Sequence, residues 1–287
     1  MDARFDLRPA DVRRRFDRAA GSFDSADFAH AAAREGLFAR LEGITVEAGN
    51  VIDLGCATGA ATAPLGKRFK GARVYAVDFS LPMLDRCAAR QGWFSRTSAV
   101  CADAARLPFP DHSIDVVFSN LLLPWIGDPA SVATEVARVL RKEGLFTFST
   151  LGPDSLLALR DAWQSVDDDP HVNPFPDMHD VGDALVRSGL RDPVLDVDRL
   201  TIRYDDPGKL LADLTACGAR NALRQRRSTL TGKRRFEALR SALGDSTSEA
   251  GLRIELELVF GHCWGSGRGP RSGETRIDAG AIPVRRR

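Results

Sequence analysis

Residues 50–60 read NVIDLGCATGA, and this stretch determines the fold class. It begins with five residues typical of a short buried strand and continues into a turn that contains Gly55 and Gly59. Residues 62–69 follow with helical spacing, and residues 72–78 form a second apolar run of strand length. A strand, a glycine turn, a helix and a second strand predict a βαβ unit with parallel strands.

The alternation of strands and helices continues along the first half of the chain. Further strands are predicted at 97–101, 114–119 and 145–150, and further helices at 82–91 and 131–139. This pattern indicates a doubly wound, Rossmann-like α/β fold with a mostly parallel sheet. Because such crossovers are right-handed, the carboxyl ends of the strands share one edge, where a ligand binds.

The flanking segments predict additions to this core. Residues 11–43 carry apolar residues at helical spacing and predict N-terminal helices. After residue 150 the predicted elements are helices at 154–163, 180–188 and 207–216, a polar loop at 167–176, and strands at 194–204 and 254–264. We expect an N-terminal helical cap (1–45), a main domain with a helical insertion and an antiparallel C-terminal strand (46–264), and a mobile tail (265–287).

Composition narrows the class of protein. Of the 287 residues, 44% are hydrophobic and 28% are charged, which is ordinary for a soluble globular protein. No apolar stretch approaches the roughly 20 residues that cross a bilayer, and no signal peptide is visible, so we expect cytoplasmic residence and no membrane partner. The five cysteines lie far apart without a C-x-x-C pair, which argues against a disulfide framework and against a metal site.

The glycine turn is a poor match to the loop motifs that bind nucleotide phosphates. The three glycine positions of a dinucleotide loop, G-x-G-x-x-G, would fall on Gly55, Ala57 and Ala60, so two glycines are missing. A phosphate loop of the G-x-x-x-x-G-K-[ST] type is also absent. Asp53 precedes the turn, and a carboxylate there would repel a pyrophosphate but suits a ligand with an ammonium and a sulfonium group.

Acids at three successive strand ends complete the predicted site. Asp78 ends the second strand, where it can accept hydrogen bonds from ribose hydroxyls, and Asp103 follows the third, near an adenine amino group. Each acid alone could equally be a helix cap, but together with Asp53 they predict an S-adenosylmethionine-dependent methyltransferase. Further candidate cofactor contacts are Gly55, Ala57, Gly59, Phe79, Met83, Ala104, Leu107 and Asn120.

A basic segment lies outside this site. It contains Arg220, Arg224, Arg226, Arg227, Lys233, Arg234, Arg235 and Arg240, against Glu237 as its one acid. Two interpretations stay open: a solvated helix face, or a docking surface for an acidic partner. The overall net charge of +1 and the lack of interleaved aromatic residues make nucleic acid a poorer partner.

Longer motifs resemble a known family. The stretches VDFSLPML (77–84) and DAARLPF (103–109) resemble class I methyltransferases in general. More specific are FDRAAGSFD (16–24), SNLLLPW (119–125), FSTLGPDSL (148–156), HVNPF (171–175) and GARN (218–221). These look like the malonyl-acyl-carrier-protein O-methyltransferases of biotin synthesis, and the resemblance runs from about residue 11 to the end of the chain.

The resemblance implies methyl transfer from S-adenosylmethionine to the free carboxylate of malonyl-acyl-carrier protein or malonyl-CoA. That carboxylate is ionised at pH 7, so no general base is needed. Phe23, Trp125 and Trp163 are then candidate walls of a dry site, and His171 and Asn173 candidate contacts for the malonyl group. Core packing and loop stabilisation are the alternatives for these side chains. An acidic carrier protein also supplies a partner for the basic segment.

The chain departs from the family pattern at three positions. Ala57 replaces a glycine, Phe23 a common tyrosine and Pro124 a common glutamine. The extra methyl group of Ala57 is tolerated if its φ is negative. Two other functions remain open: a methyltransferase-like respiratory-complex assembly factor that modifies protein arginine, and a non-catalytic scaffold that binds the cofactor.

Overall fold

The computed structural model describes residues 6–92, 95–226, 232–245 and 251–267. Its strands are β1 (Asn50–Leu54), β2 (Arg73–Asp78), β3 (Thr97–Cys101), β4 (Ile114–Asn120), β5 (Leu140–Leu151), β6 (Arg191–Tyr204) and β7 (Leu252–Trp264). Its α-helices are α1 (Pro9–Ala19), α2 (Phe28–Glu42), α3 (Thr62–Arg68), α4 (Leu81–Arg90), α5 (Pro129–Val139), α6 (Leu157–Gln164), α7 (Met178–Arg187), α8 (Pro207–Ala216) and α9 (Lys233–Asp245). Short 3₁₀ helices lie at Phe23–Ser25 and Leu123–Trp125.

The seven strands form one sheet in the order β3-β2-β1-β4-β5-β7-β6. Strands β1 to β5 pair in parallel, whereas β7 runs antiparallel to both of its neighbours, β5 and β6. The doubly wound fold with an antiparallel C-terminal strand is therefore confirmed. The chain order reverses between β1 and β4, and open α/β sheets bind ligands at such a switch point.

Alternate residues of the central strands contribute to two separate cores, because successive side chains of a strand point to opposite faces. The first core includes Val51, Phe118, Leu37 of α2 and Leu65 of α3. The second includes Ile52, Val117, Val136 of α5 and Leu185 of α7. Both faces of the central strands are thus covered by helices, which leaves the strand ends as the place for a site.

The observed elements extend several of the predicted ones. Strand β5 begins at Leu140, where it pairs with Ile114 before an irregularity in the ladder, so it is longer than the predicted 145–150. Helix α9 begins inside the basic segment, at Lys233, and ends beyond it at Asp245. All five cysteines are free. In the described parts of the chain, no helix is long and apolar enough to cross a membrane. Residues 268–287 of the predicted tail lie outside the described residues.

Candidate functional site

A cavity of about 400 Å³ lies at the carboxyl ends of β1 to β4, a volume typical of small-molecule sites. Its lining includes these predicted residues: Phe23, Asp53, Gly55, Ala57, Asp78, Phe79, Asp103, Ala104, Asn120 and Trp125. Four different strand ends and the N-terminal segment therefore contribute to one enclosure. The structure thus brings the acids predicted at the strand ends into one cavity with Phe23 and Trp125, which the resemblance had implied.

Three residues expected at the cofactor do not line this cavity. Met83 is fully buried on the inner side of α4, where it packs with Phe23 and the end of α1. Leu107 is in the core beneath α5. Gly59 adopts a φ of 81°, and a side chain there would collide with Cys87 Sγ. Met83 and Gly59 lie where α4 packs close to the loop, whereas Leu107 is part of the core formed with α5.

Asp53 lies on β1 and is almost completely buried. Its Oδ2 accepts a hydrogen bond from Thr62 Oγ1 at 2.6 Å. The pKa of the Asp53 carboxyl is raised to about 7, mainly by burial and also by the nearby Cys87 and Asp78, against the opposing Thr62 hydrogen bond and Arg34. A cationic ligand strongly stabilises the ionised form of such a carboxylate, because the positive charge offsets the free-energy cost of burying the negative one.

Asp78 holds the glycine loop at the end of β2. Its Oδ2 accepts a hydrogen bond from the Ala57 amide at 3.0 Å, and its Oδ1 accepts one from the Ser80 amide at 2.9 Å. Burial raises the pKa of this carboxyl to about 6, against the effect of these amides. Each carboxylate oxygen can accept a second bond, so the side chain can hold the loop and still bind ligand hydroxyls.

The backbone of the loop is left-handed at Ala57, with a φ of 45°. The condition under which the alanine would be tolerated without strain, a negative φ, is therefore not met. Gly55, with a φ of 73°, also adopts this region, and a Cβ there would lie 3.0 Å from Leu122. The loop must curl tightly to bring the Ala57 amide onto Asp78, and that curl imposes the unfavourable backbone on an alanine.

Asp103 and Asn120 line the cavity with polar groups that are already partly engaged. Asp103 is exposed, and its Oδ1 accepts a hydrogen bond from the Ala105 amide at 2.9 Å. Asn120 donates to the His30 carbonyl at 2.9 Å and accepts from Ser149 Oγ at 2.8 Å. Asn120 thus ties β4 to α2 and β5, whereas Asp103 keeps an oxygen for a ligand.

Several polar residues of the cavity were not predicted, and two of them, His30 and Arg34, come from one helix. His30 and Arg34 lie four residues apart on α2, so they share one face of that helix. The Arg34 guanidinium lies 3.6 Å from Asp27 Oδ2. Burial, together with the charge of Arg34, lowers the pKa of His30 to about 4. Their i, i+4 spacing in an alanine-rich helix was the available signal, but it does not reveal which face points inward.

A second cavity of about 110 Å³ adjoins the first and shares His30, Leu121 and Trp125 with it. His171 and Asn173 line this second cavity. The His171 ring stacks on Trp163, with centroids 3.6 Å apart, and its Nε2 lies 2.7 Å from Asp167 Oδ1.

The other predicted malonyl contact is engaged in a similar way. Asn173 accepts a hydrogen bond from the Ala222 amide at 3.2 Å. Both predicted malonyl contacts therefore already stabilise the polar loop, and Trp163, their aromatic neighbour, lies away from either cavity.

Two segments distant in sequence roof the first cavity. Leu7 and Leu223 form an antiparallel bridge, and the Arg224 amide donates to the Asp6 carbonyl at 2.8 Å. Apolar side chains from both segments pack against Phe79 and Trp125. We refer to residues 6–12 and 220–226 together as the roof. Asp6, Leu7, Pro9 and Arg224 of the roof line the cavity.

The basic segment does not act as one surface. Arg224 pairs with Asp6 at 2.9 Å and Arg226 with Asp11 at 2.6 Å, so both arginines belong to the roof. The Arg220 carbonyl accepts a hydrogen bond from Arg15, also at the roof. Lys233 and Arg234 are exposed on α9, whereas Arg227 lies outside the described residues.

One group of metal-ligand type occurs in the described residues, formed by Asp167, Asp169 and His171. The Arg235 guanidinium lies 3.3 Å from Asp167 Oδ2 and 3.8 Å from Asp169 Oδ2. Arginine therefore already compensates these carboxylates. The arrangement is an ion-pair network that stabilises the loop. Arg235 is therefore paired within the chain.

Comparison with known proteins agrees with this geometry. Residues 52–148 match the methyltransferase domain family. The chain is 39% identical over 282 residues to the malonyl-[acyl-carrier protein] O-methyltransferase of Halorhodospira halophila, covering 96% of both chains. It is 40% identical to the protein of the same name from Methylovorus, covering 89% of this chain and 88% of that one.

Solved structures support the fold. A putative methyltransferase from Bacillus halodurans superposes with a TM-score of 0.58 at 16% identity, covering 81% of this chain and 98% of that one. The YcgJ protein of Bacillus subtilis gives a TM-score of 0.57 at 18% identity, covering 81% of this chain and 97% of that one. At these identities the comparison bears on the fold alone.

Proposed function

This chain belongs to the malonyl-[acyl-carrier protein] O-methyltransferase family, and from that premise we propose that it transfers a methyl group from S-adenosylmethionine to the carboxylate of a malonyl thioester. The observation that carries the proposal is the convergence of Asp53, Asp78 and Asp103 on one cavity at the switch point. The identity to these relatives extends over almost the whole chain, which includes the roof and the insertion as well as the cofactor loop.

The cavity suits the cofactor chemically. Asp53 offers a buried carboxylate to the ammonium group, Asp78 offers acceptors to the ribose hydroxyls, and Asp103 accepts from the adenine amino group. Phe79 adds an apolar wall. S-adenosylmethionine supplies an electrophilic methyl group on a sulfonium, and the acidic lining fits that positive charge.

The remaining work of the chain is to position the acceptor and to exclude water. A malonyl carboxylate is ionised at pH 7 and attacks without a base. Phe16, Phe79 and Trp125 form an aromatic wall, with the Phe16 and Trp125 rings 5.2 Å apart at an angle of 82°. In such an apolar enclosure the opposite charges of acceptor and sulfonium attract strongly and cancel during transfer, which favours the reaction.

A transfer assay tests this proposal. The full chain is incubated with methyl-labelled S-adenosylmethionine and malonyl-acyl-carrier protein, and the product is treated with mild base. We expect label on the malonyl group that base releases as methanol, as required of a methyl ester. Label that resists base and maps to protein arginine would instead support the assembly-factor alternative. Tight cofactor binding without transfer would support the scaffold.

We propose further that α9 contributes to docking of the acidic carrier protein. On α9, Arg235 pairs with Asp167 and Arg240 lies 3.3 Å from Asp206 Oδ1. Lys233 and Arg234 are exposed basic residues in the first turn of that helix. The side chain of Lys233 is 90% exposed and only 3.8 Å from Glu237, a weak surface pair. An acidic helix of the carrier protein can replace the pair of Lys233 and Glu237 at little cost in free energy.

A further inference from the structure

The wall between the two cavities is strained at one residue. His30, Leu121 and Trp125 line both cavities, so they stand between the cofactor space and the second space. Leu121 adopts a φ of 52°, which side chains rarely tolerate. Its amide donates to Ser149 Oγ at 3.0 Å and lies 3.2 Å from the Ser149 carbonyl. Strain of this kind persists at functional sites, where surrounding contacts enforce it.

His30 is the polar member of this wall. Its Nδ1 is completely buried and has no hydrogen-bond partner in the described residues. Its ring lies 4.9 Å from that of Phe23, at an interplanar angle of 54°. A buried polar atom without a partner is costly, and native proteins rarely keep one unless a ligand or water completes it. Because His30 lines both cavities and its Nδ1 is not bonded within the described residues, the imidazole is placed to bind a group held there.

The second cavity has a lining suited to a short acyl thioester. It is mainly apolar, with Ala29, Leu156, Leu210 and Ile254 among its walls. A malonyl thioester carries its charge at the end that must reach the cofactor, whereas the thioester end is neutral and weakly polar. The first cavity, which holds the cofactor, is suited to the charged end, and the apolar second cavity is suited to the neutral thioester end.

We propose that His30 donates a hydrogen bond to the malonyl group at the junction of the two cavities, and that the second cavity holds the thioester arm. This inference rests on the proposed function. It makes His30 a substrate-positioning residue in place of His171 and Asn173, because His171 Nε2 and Asn173 Oδ1 already bond within the protein.

The charge state of His30 supports this role. Burial and Arg34 lower its pKa, so the imidazole is neutral near pH 7. A neutral donor orients a carboxylate without neutralising its charge, and the carboxylate therefore remains nucleophilic. A cation at the same place would bind the acceptor more tightly and make it less reactive.

The first test removes the donor. We expect His30→Phe to lower kcat/KM for malonyl-acyl-carrier protein by about 30-fold, the range for loss of a hydrogen bond to a charged group. The dissociation constant of S-adenosylmethionine and the melting temperature should stay close to those of the unmodified chain. His30→Gln keeps an uncharged donor and should restore most of the lost kcat/KM.

The control for this test is His179→Phe, the same substitution at an exposed histidine of α7. It should leave all of these quantities unchanged. An unchanged kcat/KM in His30→Phe, or equal losses in His30→Phe and His30→Gln, would overturn the proposal.

The second test fills the second cavity and does not depend on His30. We expect Ala29→Leu to raise KM for malonyl-acyl-carrier protein at least about tenfold while cofactor affinity stays the same. The matched control is Ala32→Leu on the same helix, because Ala32 lines neither cavity. Equal KM values for the two variants would exclude the second cavity as the acyl site.

Both tests begin with the unmodified chain. If that chain does not methylate malonyl-acyl-carrier protein at all, the proposed function fails and the role of His30 fails with it. If the chain is active but the variants behave like their controls, only the inference on His30 and the second cavity fails.

Discussion

At the residue scale, Ala57 carries a backbone conformation that an L-amino acid adopts at a cost. We expect Ala57→Gly to stabilise the protein by about 0.5–1 kcal/mol, since glycine relieves the strain but adds freedom to the unfolded chain. Denaturant unfolding measures this difference, and cofactor affinity should change little because the amide bond to Asp78 is retained. A clear loss of stability would mean that the Ala57 methyl contributes more by packing than it costs in strain.

Asp53 makes cofactor binding sensitive to pH. Its pKa near 7 means that the carboxyl becomes protonated as the pH falls from 8 to 6, and a protonated carboxyl no longer attracts an ammonium group. We expect the affinity of the unmodified chain, relative to that of Asp53→Asn, to fall about tenfold over this range. Calorimetric titration of both proteins at each pH measures the ratio and cancels the titration of the cofactor itself. A constant ratio would place the ammonium group away from Asp53.

Some residues of the site could be predicted from the sequence and others could not. Asp53, Asp78 and Asp103 were predictable because parallel strands place their carboxyl ends on one edge. Met83 and Gly59 belong to the same motifs, yet they pack inward, because the approach of α4 is set by tertiary contacts. His30 was missed for a related reason: α2 is rich in alanine, and only packing decides which of its faces is buried.

At the scale of elements, the roof depends on two ion pairs of unequal burial. Asp11 is nearly buried and its pKa is lowered by the hydrogen bond from Arg226, whereas the pair of Asp6 and Arg224 is more exposed. We expect Arg226→Leu to destabilise the protein by about 1–3 kcal/mol, because it leaves a buried carboxylate poorly compensated. The matched variant Arg224→Leu should cost less than about 1 kcal/mol.

The same two variants connect the roof with cofactor binding. Since Leu7 and Phe16 line the first cavity, loosening α1 should also weaken cofactor affinity in Arg226→Leu. Thermal unfolding with and without cofactor separates the two effects. Equal stabilities for Arg226→Leu and Arg224→Leu would show that the burial of Asp11 does not matter to the roof.

At the scale of the whole molecule, the net charge is only +1, so the positive charge on α9 is a local feature of the surface. We expect Arg234→Glu to raise KM for malonyl-acyl-carrier protein about tenfold and to leave KM for malonyl-CoA unchanged, because the docking proposal gives α9 a contact with the carrier alone. Raising the salt concentration from 50 to 200 mM should lower kcat/KM for the carrier substrate several-fold, as screening shortens the reach of surface charge. Salt should have little effect on cofactor affinity. An equal change for both substrates would exclude α9 as the docking surface.

The overall topology was largely predictable, because the strand and helix periods alternate clearly up to residue 150. The division of the basic segment was not. A run of arginines in the sequence looks continuous, but Asp6, Asp11, Asp167 and Asp169 come from elsewhere in the chain and pair with its members. Long-range pairing of this kind leaves no local pattern.

The bridge between Leu7 and Leu223 also bears on how the protein is made. Synthesis runs from the N-terminus, so the first half of the roof emerges long before its partner exists. Strands β1 to β5 can pair as soon as residue 151 has left the ribosome, but the cofactor cavity stays uncovered until the segment at 220–226 follows. We therefore expect a nascent chain arrested between these points to contain the parallel part of the sheet and to bind cofactor weakly. The ability to retain the cofactor is acquired late in synthesis, at a step separate from formation of the parallel sheet.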